Sequence, residues 1–527
     1  MSEAHTPRGL VGWLPWLWSR VLFTAPLPRA DRLRTASLLL LIVLPAILLY
    51  PSRSYHLLEP DEGRYAQIAR EMLERGDWVV PVLQSEPYLD KPPLFYWLIM
   101  LSYSLFGVSD SVARIVPTMA VHFTILMVYL LGRRSLGERS AFWGALLLAL
   151  MPGFIGMGRL LILDGLLTSL VMLSLLLAFE AIRGERLRKL WWCLTAIVCG
   201  FGVLTKGPIA LLLLVPPIVM YLFLMQSSVR IGWRGWLSFG VIVFAVNFPW
   251  YLAIYLREPV FLRYFFWEHN VLRFLSPFDH LEPVWFYVPI VLGGLLPGTF
   301  LLWSLAKYLN REGEQRPPSV GYWMLAGGWC VFFFSLSGSK LPTYVLPAFP
   351  CFALVFGHLI VNTHWQRSTL LRAGLATNAV LLIGFVYVAL PWYAKERSPM
   401  GRPELVREYL DEPGSFVVCY PRHVDSVAFY LERNDLNNVR SKETAQLVQS
   451  LLTRPRTVIL FTHDHSLEAL KQALPPALQV SESISLRRSY PGFPLLEKLA
   501  GKTPWGLCDI GVIEIKELAR VKGTAKR

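Results

Sequence analysis

Residues 165–182 read GLLTSLVMLSLLLAFEAI, a run that is apolar enough and long enough to cross a bilayer as an α-helix. Similar runs recur along the 527-residue chain, which is 54% hydrophobic, 17% charged and has a mean hydropathy of +0.43. This composition argues against a soluble enzyme and predicts a polytopic α-helical membrane protein with about 11–13 transmembrane helices. We predict eleven transmembrane runs, and Pro92–Gly107 is a further apolar stretch that is not among them. The eleven runs centre on Ala36–Tyr50, Ile115–Gly132, Ala141–Ile155, Gly165–Ile182, Leu190–Leu204, Pro208–Met225, Trp236–Leu256, Val284–Leu305, Val320–Leu336, Thr343–Val361 and Leu371–Trp392.

The positive charge of the chain indicates its topology. Lysine and arginine number 51 against 37 aspartate and glutamate, a formal net charge of +14, and cytoplasmic loops are enriched in these cations. Alternate loops carry them if the N-terminus lies inside. We therefore predict a cytoplasmic or interfacial segment over 1–35, a transmembrane domain over 36–392 with a first periplasmic loop at 51–114, and a periplasmic domain over 393–527. The cation groups are Arg29–Arg34, Arg133–Arg139, Arg183–Lys189, Arg230–Arg234, Lys307–Arg316 and Arg367–Arg372.

Residues 393–527 have the mixed composition of a soluble domain. Phe416–Tyr420 and Thr457–Phe461 are typical of buried strands. The amphipathic stretches that alternate with them are Asp425–Glu432, Lys442–Leu452 and Ser466–Leu474. This alternation predicts a small α/β domain. In an oxidising compartment, Cys419 and Cys508 either pair as a disulfide or remain buried thiols.

The first external loop contains EPDEGRYAQIAREMLERGDW at residues 59–78. Its apolar residues have the i, i+3, i+4, i+7, i+8 spacing of an amphipathic helix. They are Tyr65, Ile68, Ala69, Met72 and Leu73. Gly76 is suited to end this helix, and three carboxylates crowd its beginning. Glu59, Asp61 and Glu62 therefore have two interpretations, as caps of an interfacial helix or as groups with a chemical role.

Two further acidic positions lie beside apolar stretches on the same side of the membrane. Asp90 and Lys91 precede a Pro-Pro pair in EPYLDKPPLFYWL, where the prolines hold the backbone rigid. Asp164 is a lone carboxylate in GRLLILDGLL, in a turn predicted to be external. A charge beside the hydrocarbon boundary is costly and is therefore a candidate for function. The simpler interpretation of Asp90 and Lys91 is a surface ion pair.

Later external loops add groups that suit phosphate binding. RYFFWEHNVLRF contains His269 and Arg273, and SGSKLPTYVLP contains Lys340 and Tyr344. Lys91, Arg273 and Lys340 are candidates to hold phosphate oxygens, while the carboxylates are candidates for acid–base or metal chemistry. An apolar cavity with such groups at its end would suit an amphiphile with a phosphate-sugar head.

Several of these stretches together resemble one family. They are DEGRYAQIAREM, YLDKPPLFYWL, the turn at Asp164, LTKGP at Leu204–Pro208, NFPWY at Asn247–Tyr251, FFWEHNVLRF and SGSKLPTYVLP. The set is similar to bacterial GT-C glycosyltransferases of the protein-O-mannosyltransferase-like superfamily, and most similar to the 4-amino-4-deoxy-L-arabinose lipid A transferases. The resemblance runs from Glu59 to about Pro350. It implies a GT-C fold and a multi-pass, pentosyltransferase-like enzyme of the bacterial inner membrane. Such an enzyme takes the sugar from undecaprenyl phosphate and transfers it to a lipid A phosphate on the periplasmic side.

The resemblance also implies roles for single residues. Asp61 matches the catalytic carboxylate of the first loop, and Glu62 belongs to the same motif. Asp90 and His269 match an acid and a histidine that together hold a divalent metal ion, although the family pattern has Glu where this chain has Asp90. The predicted site consists of catalytic Asp61, Asp164 and Glu62, of substrate- and lipid-phosphate-binding Arg64, Tyr65, Tyr88, Lys91, Arg273, Lys340 and Tyr344, and of metal ligands Asp90 and His269.

The acceptor decides what chemistry is needed. A phosphate acceptor is already anionic at neutral pH, so positioning and charge stabilisation would dominate. With a hydroxyl acceptor, Asp61 would have to take the acceptor's proton. Another polyprenyl-linked sugar, such as a hexose or a uronic acid, and another acceptor, such as core polysaccharide, another envelope glycan or a protein, remain open.

A lipid or sugar transporter is the rival class, and a membrane scaffold is a third. Transporters gather ionisable groups near the midplane, whereas here these groups gather at one face. A scaffold gives no reason for a one-sided set of charges. The expected partners are the lipid-linked donor, the acceptor and membrane lipids, with no nucleic acid, and we expect a monomer.

Overall fold

The computed structural model describes residues 35–224, 229–275, 280–310, 317–410, 416–486 and 508–516. Residues 1–34 of the predicted interfacial segment at 1–35 lie outside these residues, as does the side chain of Arg273. The described chain is mostly helical up to residue 397. Its main helices there are α1 (Thr35–Leu49), α2 (Asp61–Arg75), α3 (Leu94–Phe106), α4 (Asp110–Leu136), α5 (Glu138–Leu150), α6 (Pro152–Gly158), α7 (Leu163–Ile182), α8 (Lys189–Lys206), α9 (Ile209–Leu224), α10 (Trp233–Arg257), α11 (Val284–Gly294), α12 (Gly298–Leu309), α13 (Pro318–Leu336), α14 (Ala348–Val361) and α15 (Thr369–Glu396).

All eleven apolar runs form a helix or a bent pair of helices, as predicted. By length and composition, six helices could each cross a membrane, namely α4, α7, α8, α10, α13 and α15. Two runs form bent pairs, with an angle of 59° between α5 and α6 and of 100° between α11 and α12. The remaining runs give shorter apolar helices of 15, 16 and 14 residues, which are α1, α9 and α14. By this criterion, the described residues hold six helices that could cross a membrane, or up to eight if each bent pair is one span, with the shorter apolar helices left out. Proline accompanies both bends, because Pro152 begins α6 and Pro297 lies between α11 and α12.

The first loop folds around α2. The predicted apolar stripe is buried at Tyr65, Ile68, Ala69 and Met72, where it packs with α3. Burial of each of the larger apolar side chains contributes about 1.5–3 kcal/mol to the free energy of folding. Gly76 ends the helix with φ 65°, a left-handed conformation that glycine adopts without a steric penalty. The loop also contains a hairpin of β1 (Val82–Leu83) and β2 (Glu86–Pro87), and beyond α10 the chain forms a π-helical segment at Arg263–Leu272.

The C-terminal domain is a five-stranded mixed sheet with helices on it. Its elements are α16 (Pro403–Leu410), β3 (Phe416–Tyr420), α17 (Asp425–Tyr430), β4 (Asn437–Asn438), α18 (Thr444–Leu452), β5 (Arg456–Phe461), α19 (Ser466–Ala473), β6 (Leu478–Ser485) and β7 (Asp509–Ile515). The strand order is β4-β3-β5-β7-β6, with β3 parallel to β4 and β5 and with β7 antiparallel to its neighbours. The five predicted elements of this domain are confirmed. Cys419 and Cys508 are both buried, and they are not joined by a disulfide.

Candidate functional site

An apolar cavity of about 620 Å³ opens between α9, the π-helical segment and α13. Its lining includes three basic side chains, Lys91, Lys206 and His269. The rest of the lining is dominated by aliphatic and aromatic groups, among them Ile209, Leu212, Leu262, Phe266, Trp267 and Phe333. A cavity of this kind suits a ligand that has a long apolar part and an anionic head.

Lys206 forms an ion pair with a predicted site residue, Asp164. Its Nζ donates to Oδ1 of Asp164 across 2.6 Å, and the same ammonium lies 4.5 Å from the centroid of the Tyr344 ring. Lys206 is the last residue of α8, where a cation suits the helix dipole, and Asp164 lies in the first turn of α7, where an anion does. Gly207, with φ 83°, turns the chain immediately after the lysine. Asp164 therefore fixes a cation at the cavity wall.

The predicted pair of Asp90 and Lys91 meets the π-helical segment. The Tyr264 hydroxyl donates to Oδ1 of Asp90 across 2.7 Å, and the Lys91 Nζ lies 2.5 Å from Nε2 of His269. Burial alone would raise the pKa of Asp90, but the nearby His269 and Lys91 lower it below the ordinary range. Asp90 is therefore a stable anion behind the lysine that lines the cavity.

The arrangement around Asp90 and His269 does not fit a divalent metal ion. Within the described ranges, no group of three or more His, Cys, Asp and Glu side chains is placed to hold a metal. The Lys91 ammonium lies against the His269 nitrogen that would have to bind it, and a lysine ammonium can only donate. We derive no chemical step through a metal, and the predicted metal site stays a prediction.

Asp61 and Arg64 are neighbours at the beginning of α2. Nη1 of Arg64 lies 3.6 Å from Oδ1 of Asp61, whose side chain is 46% exposed. Arg64 and Asp90 both lie close enough to Tyr88 to shift the pKa of its hydroxyl, in opposite directions. Burial raises the pKa of Tyr88 above its ordinary value, so this phenol keeps its proton at neutral pH. Tyr88 is therefore a neighbour both of Arg64 and of Asp90, which precedes the cavity residue Lys91.

The surroundings of Glu62 are those of a structural ion pair, whereas the sequence predicts a catalytic role for this residue. Its carboxylate accepts from Nη2 of Arg114 across 2.6 Å and from the backbone amides of Leu58 and Leu161. Burial alone would raise the pKa of Glu62, but the ion pair with Arg114 and these hydrogen bonds lower it. Both oxygens are engaged within the protein. Glu62 thus fastens the beginning of α2 to the segments around it.

The other predicted binding residues fall into two groups. Tyr344 lines the cavity, whereas Tyr65 is buried against Phe95 and Tyr96. Lys340 is also buried, and its Nζ donates to the backbone carbonyls of Glu282 and Ser337. The structure therefore brings Tyr344 to the cavity and gives Tyr65 and Lys340 packing or loop-bracing positions.

Sequence reasoning missed two residues of this arrangement. Lys206 is present in the LTKGP stretch, but nothing local indicates that it pairs with Asp164. Tyr264 lies five residues before His269, and only a π-helical turn brings residues at that spacing to one side.

Comparisons with known proteins place this arrangement in context. A family model described as "Dolichyl-phosphate-mannose-protein mannosyltransferase" matches residues 90–292. The undecaprenyl phosphate-alpha-4-amino-4-deoxy-L-arabinose arabinosyl transferase of Pseudomonas aeruginosa (strain LESB58) is 35% identical over 382 residues, which are 69% of this chain and 68% of that protein. The enzyme of the same description from Pseudomonas savastanoi pv. phaseolicola is 34% identical over 393 residues, 70% of each chain.

The crystal structure of ArnT from Cupriavidus metallidurans bound to undecaprenyl phosphate has the same fold. It superposes with a TM-score of 0.70 at 19% identity and covers 91% of this chain and 98% of that one.

Proposed function

The chain belongs to the family of undecaprenyl phosphate-4-amino-4-deoxy-L-arabinose arabinosyl transferases, and on that premise we propose that it transfers 4-amino-4-deoxy-L-arabinose from undecaprenyl phosphate to lipid A. The chain is thus a multi-pass membrane glycosyltransferase. The donor follows from the name that its relatives carry. The acceptor and the periplasmic location of the reaction are parts of the proposal.

One observation carries the proposal most strongly: two lysines, Lys91 and Lys206, line the apolar cavity. A polyprenyl chain needs an apolar surface, and its phosphate needs cations. Lys91 and Lys206 supply the cations, and each is backed by a carboxylate, Asp90 or Asp164. The lipid would lie along the aromatic wall with its phosphate between the lysines.

The transfer needs charge stabilisation more than proton transfer. The bond between the anomeric carbon and the phosphate oxygen breaks, and its electron pair leaves with undecaprenyl phosphate, which gains one negative charge. An oxygen of the acceptor phosphate forms the new bond to the anomeric carbon. Because this oxygen is already anionic, no proton has to move. Lys91 and Lys206 stabilise the charge that develops on the leaving phosphate.

Asp61 is the carboxylate that the proposal places beside the sugar. It is half exposed and is held by Arg64, so its oxygens can approach a bound substrate. With a phosphate acceptor, Asp61 stabilises positive charge at the anomeric carbon. With a hydroxyl acceptor, it accepts the proton that the hydroxyl loses.

The lipid A acceptor and the orientation rest on charge. The net charge of +14 suits an anionic membrane surface, and the basic loops support a cytoplasmic face opposite the cavity. Lys91, Lys206 and Asp61 then face the periplasm together. The proposal takes the active unit to be a monomer.

Deletion of the gene in its host, followed by mass spectrometry of lipid A, tests this proposal. We expect the mass increment of aminoarabinose to disappear, to return with the wild-type gene and to stay absent with Asp61→Asn. Immunoblotting of membranes controls for the amount of the variant. Unchanged lipid A after deletion would contradict the lipid A acceptor, and full restoration by Asp61→Asn would remove Asp61 from the mechanism.

A further inference from the structure

The C-terminal domain packs directly on α2, the helix that carries Asp61 and Arg64. The two backbones approach closely at Gly63 and Ser426, where a Cβ on the glycine would lie 2.5 Å from the amide nitrogen of Ser426. That amide donates to Oε1 of Glu59 across 2.6 Å. Only a residue without a side chain allows this contact, so α17 and the beginning of α2 are fitted to each other.

A second set of contacts holds the next turns of α2. The Nε2 of Gln67 donates to the carbonyl of Arg433 across 2.9 Å and to Oδ1 of Asn434 across 3.0 Å. Arg70 donates from Nη2 to the same carbonyl across 3.1 Å. Gln67 and Arg70 are buried. Residues 425–434 of the C-terminal domain therefore restrain α2 along much of its length.

Asp425 is a buried carboxylate that the C-terminal domain contributes to this interface. Its side chain is 2% exposed, and its Oδ2 lies 3.5 Å from Nε of Arg64. A buried carboxylate is costly unless a cation faces it. His423 is the other basic group beside it, with Nδ1 4.0 Å from Oδ1. The carboxylate therefore holds the Nε side of the Arg64 guanidinium and leaves its Nη1 for Asp61.

Arg64 connects this interface with the cavity. Its Nη1 lies 3.6 Å from Asp61, and its guanidinium lies close enough to Tyr88 to lower the pKa of that hydroxyl, which Asp90 raises. A guanidinium is a rigid planar fork, so fixing one edge fixes the direction of the others. A rotation of Arg64 would therefore move both Asp61 and Tyr88.

We propose that Asp425 is a positioning residue, which orients Arg64 toward Asp61 and Tyr88, so that the C-terminal domain completes the transfer site. The inference rests on the proposed glycosyl transfer. It gives the domain a role in the chemical step without any contact between the domain and the substrate.

The test compares purified full-length variants in transfer of aminoarabinose from undecaprenyl phosphate to lipid A. Asp425→Asn keeps the size of the side chain and removes its charge. We expect kcat to fall between about tenfold and about 100-fold, because small misplacements of reacting groups have effects of this size, while the KM for the lipid donor stays unchanged. Glu514→Gln is the matched control, since Glu514 forms a partly buried ion pair with Arg456 within the same sheet domain, and it should leave kcat unchanged.

A double-mutant cycle separates positioning from general destabilisation. If Asp425 acts through Arg64, the Asp425→Asn substitution should lower kcat no further in an Arg64→Met background. Arg64→Lys keeps the charge but loses the planar fork, and should reproduce the fall in kcat with Asp425 intact. Multiplicative effects of the two substitutions, or wild-type kcat for Asp425→Asn, would overturn the inference.

Hydrogen exchange gives a result that is independent of activity. Loss of the Asp425 charge should raise amide exchange in residues 61–75 and leave β5 protected. Unchanged exchange in residues 61–75 would overturn the inference even if the wild type had no transferase activity. Inactivity of the wild-type protein with this donor and acceptor would instead contradict the proposed function.

Discussion

The ammonium of Lys206 lies 2.6 Å from the carboxylate of Asp164, at the wall of an apolar cavity. The two residues come from opposite ends of neighbouring helices, and each charge suits the helix terminus that carries it. Removal of the lysine should therefore reduce charge stabilisation without altering the apolar lining.

We predict that Lys206→Met lowers kcat for sugar transfer by about 100-fold or more, the size seen when one group that stabilises developing charge is removed. The measurement is steady-state transfer by the purified protein. Lys189→Met is the control, because Lys189 is the exposed first residue of the same helix. Equal kcat in the two variants would contradict a role for Lys206 at the leaving phosphate.

The apolar part of the cavity should bind the lipid tail. We predict that Leu212→Trp, which fills space at the cavity wall, raises the KM for the polyprenyl donor by about tenfold or more. Leu237→Trp is matched to it, since Leu237 is 56% exposed on α10 and is not a cavity residue. A donor that lacks most of the polyprenyl chain should be insensitive to both substitutions. An unchanged KM for the full-length donor with Leu212→Trp would place the tail elsewhere.

The Glu62–Arg114 ion pair is expected to contribute to stability. Both side chains are almost fully buried, and removing one partner of such a pair costs about 3 kcal/mol or more. Glu62→Gln should therefore lower the Tm in detergent clearly. Glu74→Gln removes the charge of a partly exposed pair with Arg70 and should cost about 1 kcal/mol or less. If Glu62→Gln kept the wild-type Tm but lost activity, Glu62 would have the catalytic role that the sequence suggests.

Stability should also depend on pH through Glu59. Burial, with a contribution from Asp425, raises the pKa of Glu59 from 4.5 to about 8. Because the folded state binds this proton more tightly than the unfolded state, the stabilisation is complete below pH 4.5 and is lost as the pH rises through 8.

We therefore expect the wild-type Tm to fall between about pH 6.5 and about pH 8.5, and to fall less in Glu59→Gln, which stays neutral. Glu86→Gln, in the exposed strand β2, should follow the wild type. Parallel Tm curves for wild type and Glu59→Gln would show that Glu59 does not titrate in this range.

The sequence predicts the local features of this protein well. The stripe from Tyr65 to Leu73 and the glycine at position 76 are enough to define α2, because both follow from the geometry of a single helix. The strands Phe416–Tyr420 and Arg456–Phe461 are similarly predictable, because their apolar runs are short and bounded. The lengths of the membrane helices are less predictable, because two single apolar runs each form two helices with a sharp bend between them, α5 with α6 and α11 with α12.

The site is only partly predictable, because its contacts join distant segments. Asp61 and Glu62 are adjacent in sequence, but neighbours on a helix point about 100° apart, so one is half exposed and the other is buried. Asp164 and Lys91 are predictable as charges beside apolar runs. The partners that fix them, Lys206 and His269, depend on tertiary packing that leaves no local pattern.

The proposed reaction is the transfer of aminoarabinose from undecaprenyl phosphate to lipid A at the cavity that Lys91 and Lys206 line. The most direct measurement is mass spectrometry of lipid A after incubation with the purified full-length protein and undecaprenyl phosphate-linked aminoarabinose. We predict a product heavier by one aminoarabinose unit, formed by the wild type and by Lys189→Met but nearly absent with Lys206→Met. Unmodified lipid A after incubation with the wild-type protein would contradict the account.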